Sequence, residues 1–399
     1  MKILIAHNEY QYRGGEDTVV DAEIALLRSH GHQVEVYRRH NSELQHMSRL
    51  TAARSAVWSQ RTIDDASRIC RAFCPDLIHV HNTFPLISPS LYWFAARHAI
   101  PLVQTLHNFR LLCPQAALLR AGSVCEECIG KVPWRAITHK CYRESTLQSA
   151  VATGMLVTHR LLGTYRDQVT NYIALNAFCR DKFIAGGLPG ERICIKPNFA
   201  VGGAAPDWTE RKGGLFIGRL SAEKGLDVLT AAVRTLPQPS IRIIGKGPME
   251  ESVKQDFHDS YLGYKTSAEM MALLHQARYL VAPSIGIETF GLVAIEAFAC
   301  GTPVIASRQG GLGELVKHGV TGLLVTPGDA ADLAAKIAWA ESHPEQMMQM
   351  GKAAYAEYLA KYTPECNYRV LIKIYEDSIA EVRGHVSRHA VAGRDRVAH

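Results

Sequence analysis

No apolar run in this 399-residue chain approaches the roughly eighteen residues needed to cross a membrane. Its opening, MKILIAHNEY, has one lysine and a short apolar stretch but no small-residue cleavage site. It therefore reads as a first buried strand and not as a secretory leader, and a cytoplasmic protein is expected. No G-x-G-x-x-G follows that strand, which disfavours a dinucleotide dehydrogenase. There is no Asp-x-Asp to carry a metal-bound diphosphate and no Ser-His-Asp order for acyl chemistry. Nor is there a convincing motif for a lysine that would carry pyridoxal phosphate.

What is present is ordinary in bulk and uneven in detail. The chain is 47% hydrophobic and 21% charged, a soluble balance, and is long enough for two domains. Residues 1–196 hold 23 Lys+Arg against 16 Asp+Glu, while the remainder holds 21 against 22. The basic first half could meet nucleic acid, anionic lipid or a phosphorylated acceptor, or be plain solvated surface.

Short apolar runs alternate with helical spacing along both halves. KILIAH (Lys2–His7), VEVYRR (Val34–Arg39), DLIHVHN (Asp76–Asn82), PLVQTLHN (Pro101–Asn108) and NYIALN (Asn171–Asn176) read as strands. So do GGLFIGRL, SIRIIGKG, YLVAPS, PVIAS and GLLVTPGD in the second half. This β-α-β alternation predicts α/β architecture: two Rossmann-like parallel-sheet domains, facing across a cleft. The Gly-, Pro- and Ala-rich Lys196–Trp208 marks the boundary. The expected division is 1–197 and 198–363, with a Cys-rich insertion at 109–145. A helix over 364–383 is expected to pack back toward the first domain, and a disordered tail to fill 384–399.

The polar, glycine-bearing segments fall just after strands, where open α/β sheets bind ligands. Ile287–Ser307, IETFGLVAIEAFACGTPVIAS, holds Glu288 and Glu296 on either side of a helix start. The helix is expected over about Phe290–Cys300, stopped by Gly301. Its first amides, around Phe290, Gly291 and Leu292, would form an anion site, and Glu296 could accept hydrogen bonds from a pair of hydroxyls. GRLSAEKG, Gly218–Gly225, brings Arg219 and Lys224 to another helix start, a combination suited to a diphosphate. Gly14 and Gly15 in RGGEDTVV could admit a phosphate or sugar near the backbone, while Glu16 and Asp17 read as acids of a helix N-terminus. His107 ends a strand. His79 and His81 alternate on one strand face and read as structural.

The run E-x7-E with A-C-G-T-P-V-I-A-S and G-G-L-G-E-L-V, together with G-R-x-x-x-x-K-G, resembles retaining glycosyltransferases of family 4, which have the GT-B fold. The resemblance covers nearly the whole chain and is most specific over 213–330. It implies that Glu288 contacts the donor sugar, Glu296 holds the ribose, and Arg219 and Lys224 hold the diphosphate. It places His107 near the donor sugar, matches Gly14–Gly15 to the family's glycine loop, and makes Gly245–Gly247 a wall of the base pocket. The implied activity is transfer of a hexose from a nucleoside diphosphate sugar, with retention, to a hydroxyl of a glycan or lipid-linked glycan in surface polysaccharide synthesis. Catalysis would require no metal or other cofactor. An epimerase-like enzyme on the same fold and a non-catalytic nucleotide-sugar sensor stay open as alternatives.

Ten cysteines are many for a cytoplasmic chain. Cys113, Cys125, Cys128 and Cys141 could hold a structural zinc, with His139 as an alternative ligand, or remain four thiols. Arg49, Arg54, Arg61, Arg68 and Arg71 decorate a helical region around Trp58. This is either a peripheral contact with the anionic inner face of a membrane or a solvated helix surface. No nucleic-acid partner is expected.

Overall fold

The apolar runs become strands because their residues are buried on both faces, which only a parallel sheet covered by helices allows. The computed structural model describes residues 1–237 and 240–395, with side chains to residue 384. Its strands are β1 (Lys2–Glu9), β2 (Gln33–His40), β3 (Leu77–Asn82), β4 (Leu102–Thr105), β5 (Leu119–Arg120), β6 (Ser123–Val124), β7 (Asn171–Ala174), β8 (Ile193–Ile195), β9 (Gly214–Ile217), β10 (Ile241–Ile244), β11 (Tyr279–Ala282), β12 (Val304–Ser307) and β13 (Gly322–Val325).

The chain forms two units. The first comprises Met1–Ala116, Glu126–Lys196 and the residues from Tyr368 onward. Its sheet has the order β2-β1-β3-β4-β7-β8, parallel throughout. The strand order reverses at β1, so the loops leaving β1 and β3 flank the switch point. The helix Gly15–Ser29 follows β1 and lays Val20, Ile24 and Leu27 against Ile3 and Ile5 of the sheet. Asp17 caps it by accepting from the Gly14 amide at 2.8 Å.

A long helix, Pro364–Asp395, completes this core with Leu371, Ile374, Tyr375 and Ile379. Of the tail expected to be disordered, residues 384–395 continue this helix, and 396–399 lie outside the described residues. Single glycines at 384 and 393 weaken a helix but do not stop it, and no proline intervenes. The arginine-bearing region 41–74 divides into a 3-10 turn, Asn41–His46, and helices Arg49–Val57 and Gln60–Phe73.

The second unit comprises Ala117–Cys125 and Pro197–Asn367. Its parallel sheet has the order β10-β9-β11-β12-β13 over a core that includes Phe216, Leu229, Ile243, Val281, Ile305 and Ile337. Here the order reverses at β9, and the loops after β9 and β11 flank the switch point. The β5–β6 hairpin, drawn from the cysteine-bearing segment, belongs to this unit.

One buried ion pair ties the first unit together. Glu23, on the inward face of the first helix, accepts from Lys196 Nζ at 2.9 Å, and each side chain is 1% exposed. Burial alone would raise the Glu23 carboxyl, but Lys196 and His79 hold it well below the usual range. Lys196→Met should therefore cost about 3–5 kcal/mol by stranding a buried carboxylate. A urea midpoint would read that loss, and adding Glu23→Leu should recover much of it.

Candidate active site

In the second unit, two loops at the switch point meet through side chains. The loop after β9 makes a 3-10 turn at Ala222–Lys224, closes at Gly225 and opens the helix Leu226–Arg234. The loop after β11 carries Ser284 and Glu288. Lys224 Nζ donates to Glu288 Oε1, and Ser284 Oγ donates to the same oxygen at 2.8 Å. Burial pushes the Glu288 carboxyl upward, but the Lys224 ammonium and the Ser284 hydroxyl outweigh it and keep it below its ordinary value. Glu288 is thus a fixed carboxylate, and Arg219 lies exposed on the Lys224 loop.

The helix expected over Phe290–Cys300 is Leu292–Ala299, with Gly291 as its N-cap and Cys300 as its C-cap. Gly291 sits at φ 97°, a region a side chain rarely adopts. A second close approach shapes the same loop. Gly311 donates its amide to the Glu288 carbonyl at 2.7 Å, and a Cβ there would lie 2.7 Å from the Phe290 backbone. Phe290 is buried beneath the helix start, whose first amides have no partner within the helix. One turn in, Glu296 is half-buried, and burial alone pushes its carboxyl up to about 7.

The first unit gathers a different set of polar groups at the carboxyl ends of its strands. Gly14 and Gly15 are exposed, and a Cβ on either would meet nothing within 4 Å, so a ligand has room there. Asp17 is the helix cap that the sequence implies, and also meets His7 Nε2 at 2.8 Å. Glu16 is more than a helix acid. It accepts from Tyr10 OH at 2.9 Å and from Asn108 Nδ2 at 3.1 Å. Burial pushes it up to about 7 against the pull of His7 and these two donors. His107 lies just beyond β4 and is buried, its Nε2 2.8 Å from His81 Nδ1. Burial first, and His81 second, hold the His107 imidazole well below its usual value, so it is neutral.

The family profile described as Glycosyl transferases group 1 matches residues 208–357, and the Glycosyl transferase 4-like domain matches 14–198. The chain belongs to the group 1 glycosyltransferases. An uncharacterized glycosyltransferase of Methanocaldococcus jannaschii is 33% identical over 170 residues, which are 41% of this chain and 48% of that relative. Glycogen synthase of Mycobacterium tuberculosis is 37% identical over 151 residues, 35% of this chain and 36% of the relative. Both matches span less than half of the relative's length. A D-inositol 3-phosphate glycosyltransferase of Mycolicibacterium smegmatis is 29% identical over 332 residues, 79% of this chain and 70% of the relative. Among solved structures, Anabaena HepE in complex with UDP aligns with a TM-score of 0.64 at 20% identity, covering 96% of this chain and 100% of that one. Sucrose-phosphate synthase of Thermosynechococcus elongatus aligns at 0.70 and 19%, covering 95% and 99%. These alignments give this group 1 glycosyltransferase the GT-B fold.

Cys113, Cys128 and Cys141 lie in the first unit, Cys125 in the second. All ten cysteines are outside disulfides. Among the described residues, the one set of three or more His, Cys, Asp or Glu side chains whose ligand atoms lie within 4.8 Å of one another is Glu23, His79 and His81. Cys113 and Cys128 are buried, and the Cys125 amide donates to the Leu118 carbonyl at the hairpin.

Sequence reasoning missed Glu16, Glu23 and Lys196 as parts of polar clusters. A signal existed for Glu23: a glutamate on the apolar stripe of a helix requires a buried cation, although the stripe does not say which one.

The Glu296 carboxyl generates a stability test. Its folded value lies above the unfolded one, so the fold binds the extra proton between about pH 4.3 and 7 and loses stability as pH rises through that window. Glu296→Gln should match the parent at pH 4 and exceed it by about 1–3 kcal/mol at pH 8, as read by urea unfolding at the two pH values.

Proposed function

We propose that this chain transfers a hexose from a nucleoside diphosphate sugar, with retention of configuration, to a hydroxyl of a glycan or lipid-linked glycan in surface polysaccharide synthesis. The observation that carries the reading is the Lys224–Glu288 pair beside the Gly291 helix start, with Glu296 one turn further in. A lysine ammonium has three donors. One is spent on Glu288, and the others suit a diphosphate, with Arg219 as the second cation. Together with the helix amides they would stabilise charge on the departing nucleotide without a metal. Glu288, held ionised by two donors, is suited to orient sugar hydroxyls. Its two donors share one oxygen and offset its charge, which lowers its strength as a nucleophile. An ionised Glu296 would accept from the two ribose hydroxyls. Uridine is the favoured base, because HepE was solved with UDP.

The donor test is a thermal-shift screen against UDP, GDP, ADP and their sugar conjugates. UDP at a hundred times its Kd should stabilise by about 2.7 kcal/mol, and Glu296→Ala should abolish the shift. Lys224→Ala should lower kcat by about 100-fold or more with the fold intact. Binding without turnover of any donor, acceptors supplied, would instead mark a sensor. A product of inverted anomeric configuration would sink the retaining mechanism.

The acceptor side is read from the first unit. Leu50 is 70% exposed and Trp58 42% exposed, beside exposed Arg49 and Arg54. Arg54, Trp58 and Arg61 also line an open groove of about 770 Å³ with Val151 and Gly154. Arg61 and Arg68 are exposed but paired with Glu43 and Asp65, whereas Arg49 and Arg54 are exposed with no carboxylate partner among the described residues. This apolar-basic surface is suited to anionic headgroups at the inner face of a membrane. Co-sedimentation with vesicles containing phosphatidylserine should fall several-fold in the Arg49→Glu, Arg54→Glu double variant and with added salt. Unchanged sedimentation would remove the membrane role.

A further inference from the structure

A buried polar cluster in the first unit reaches His107 through His81. His107 Nε2 is 2.8 Å from His81 Nδ1, and the two rings stack with centroids 5.1 Å apart. On its far side, His81 Nε2 lies 3.4 Å from Glu23 Oε1. The other oxygen of Glu23 accepts from Lys196. His79 closes the cluster, with Nδ1 3.1 Å from Glu23 Oε1 and 2.6 Å from Tyr375 OH, and Nε2 2.8 Å from Thr105 Oγ1.

Two atoms in this cluster decide its protonation. Glu23 Oε1 and His81 Nε2 are both buried; His79 Nδ1 also approaches Oε1 at 3.1 Å, but His81 Nε2 has no other polar group to meet. They face each other across 3.4 Å. If Nε2 carried a lone pair, it would confront a carboxylate in a region of low dielectric and be left unsatisfied itself. A proton on Nε2 turns that repulsion into attraction. His81 is neutral, since burial and then His79 push its imidazole down to about 3. A neutral imidazole has only one N–H, so His81 Nδ1 must accept. The group 2.8 Å away, His107 Nε2, must then donate.

We infer that Glu23, anchored by Lys196, fixes the tautomer of His107 through His81, so that His107 carries its proton on Nε2 and can only accept a hydrogen bond at Nδ1. Glu23 and His81 are positioning residues. The inference rests on the transferase reading only for the role of His107, whose Nδ1 would accept from a hydroxyl of the bound sugar or of the acceptor. A tautomer that presented N–H there would oppose that hydroxyl's proton.

The same Glu23, His79 and His81 could also be taken for a cation site, since their ligand atoms converge. The surroundings argue against it. A buried ammonium already neutralises Glu23, and the Tyr375 hydroxyl already occupies His79 Nδ1. A dication would have to enter beside the first and displace the second.

The test is nitrogen-15 NMR of protein labelled on its histidine rings, without substrate. In the parent, His81 and His107 should each show a protonated Nε2 and a bare Nδ1. In Glu23→Gln, the amide oxygen turns to Lys196 and the NH2 donates to His81 Nε2, so both tautomers should reverse. In the same variant kcat should fall at least about tenfold, with KM for the donor changed by less than about twofold. Tyr375→Phe, which removes only the hydroxyl that meets His79, should leave both tautomers as they were. A protonated His107 Nδ1 in the parent overturns the inference whether or not Glu23→Gln folds. So does one equivalent of zinc in the purified parent that disappears in Glu23→Gln. The resonances need no turnover, so failure to find a donor would count against the transferase reading alone, and a wrong tautomer in an active transferase against this inference alone.

Discussion

A parallel sheet makes every strand leave by the same edge, and the chemistry of both units depends on that constraint. The loops after β9 and β11 could carry Lys224 and Glu288 on many folds. Only a winding that reverses at β9 puts both loops beside one crevice. Once there, the ammonium and carboxylate settle each other's charge, and the Gly291 helix start and Glu296 fall in line behind them. The first unit repeats the geometry with different residues. Its reversal at β1 sets the Gly14–Gly15 loop and Glu16 at the edge where β4 delivers His107 and Asn108.

Two carboxylates of the second unit show how environment divides labour. Glu288 has two donors on one oxygen and is held ionised. Glu296 is pushed up to about 7 by burial alone. The first keeps its other oxygen clear of these donors. The second has no side-chain donor among the described residues, an environment that would suit a carboxylate meeting a ligand.

Much of this is legible in the order of the amino acids. The strands are readable because apolar runs between turn signals have few other uses, and the segments Gly218–Gly225 and Ile287–Ser307 keep their chemistry within a few residues of one strand end. What the order of residues hides is whatever depends on distant partners. Glu23 and Lys196 are 173 positions apart, and no local pattern joins them. Glu16 resembles any first-turn acid until Tyr10 and Asn108 are seen to enclose it. The C-x2-C spacing sets a turn after the β5–β6 hairpin, but it does not say where Cys113 and Cys141 come to lie. The final helix runs past its expected end because nothing in the local chemistry stops it.

The route of the chain carries a consequence for how the protein comes to be made. The first unit opens with Ile3 and Ile5 in its central strand, yet those residues are sealed by Leu371, Ile374 and Tyr375, which follow the whole second unit in the chain. A chain released only as far as residue 367 therefore has this core covered by the first helix alone, with a His79 that lacks its tyrosine. The second unit, by contrast, draws nothing from beyond Asn367 and can close as it emerges. The half made first thus gains its last core residues only after the other half has been made, an arrangement that exposes apolar surface during synthesis.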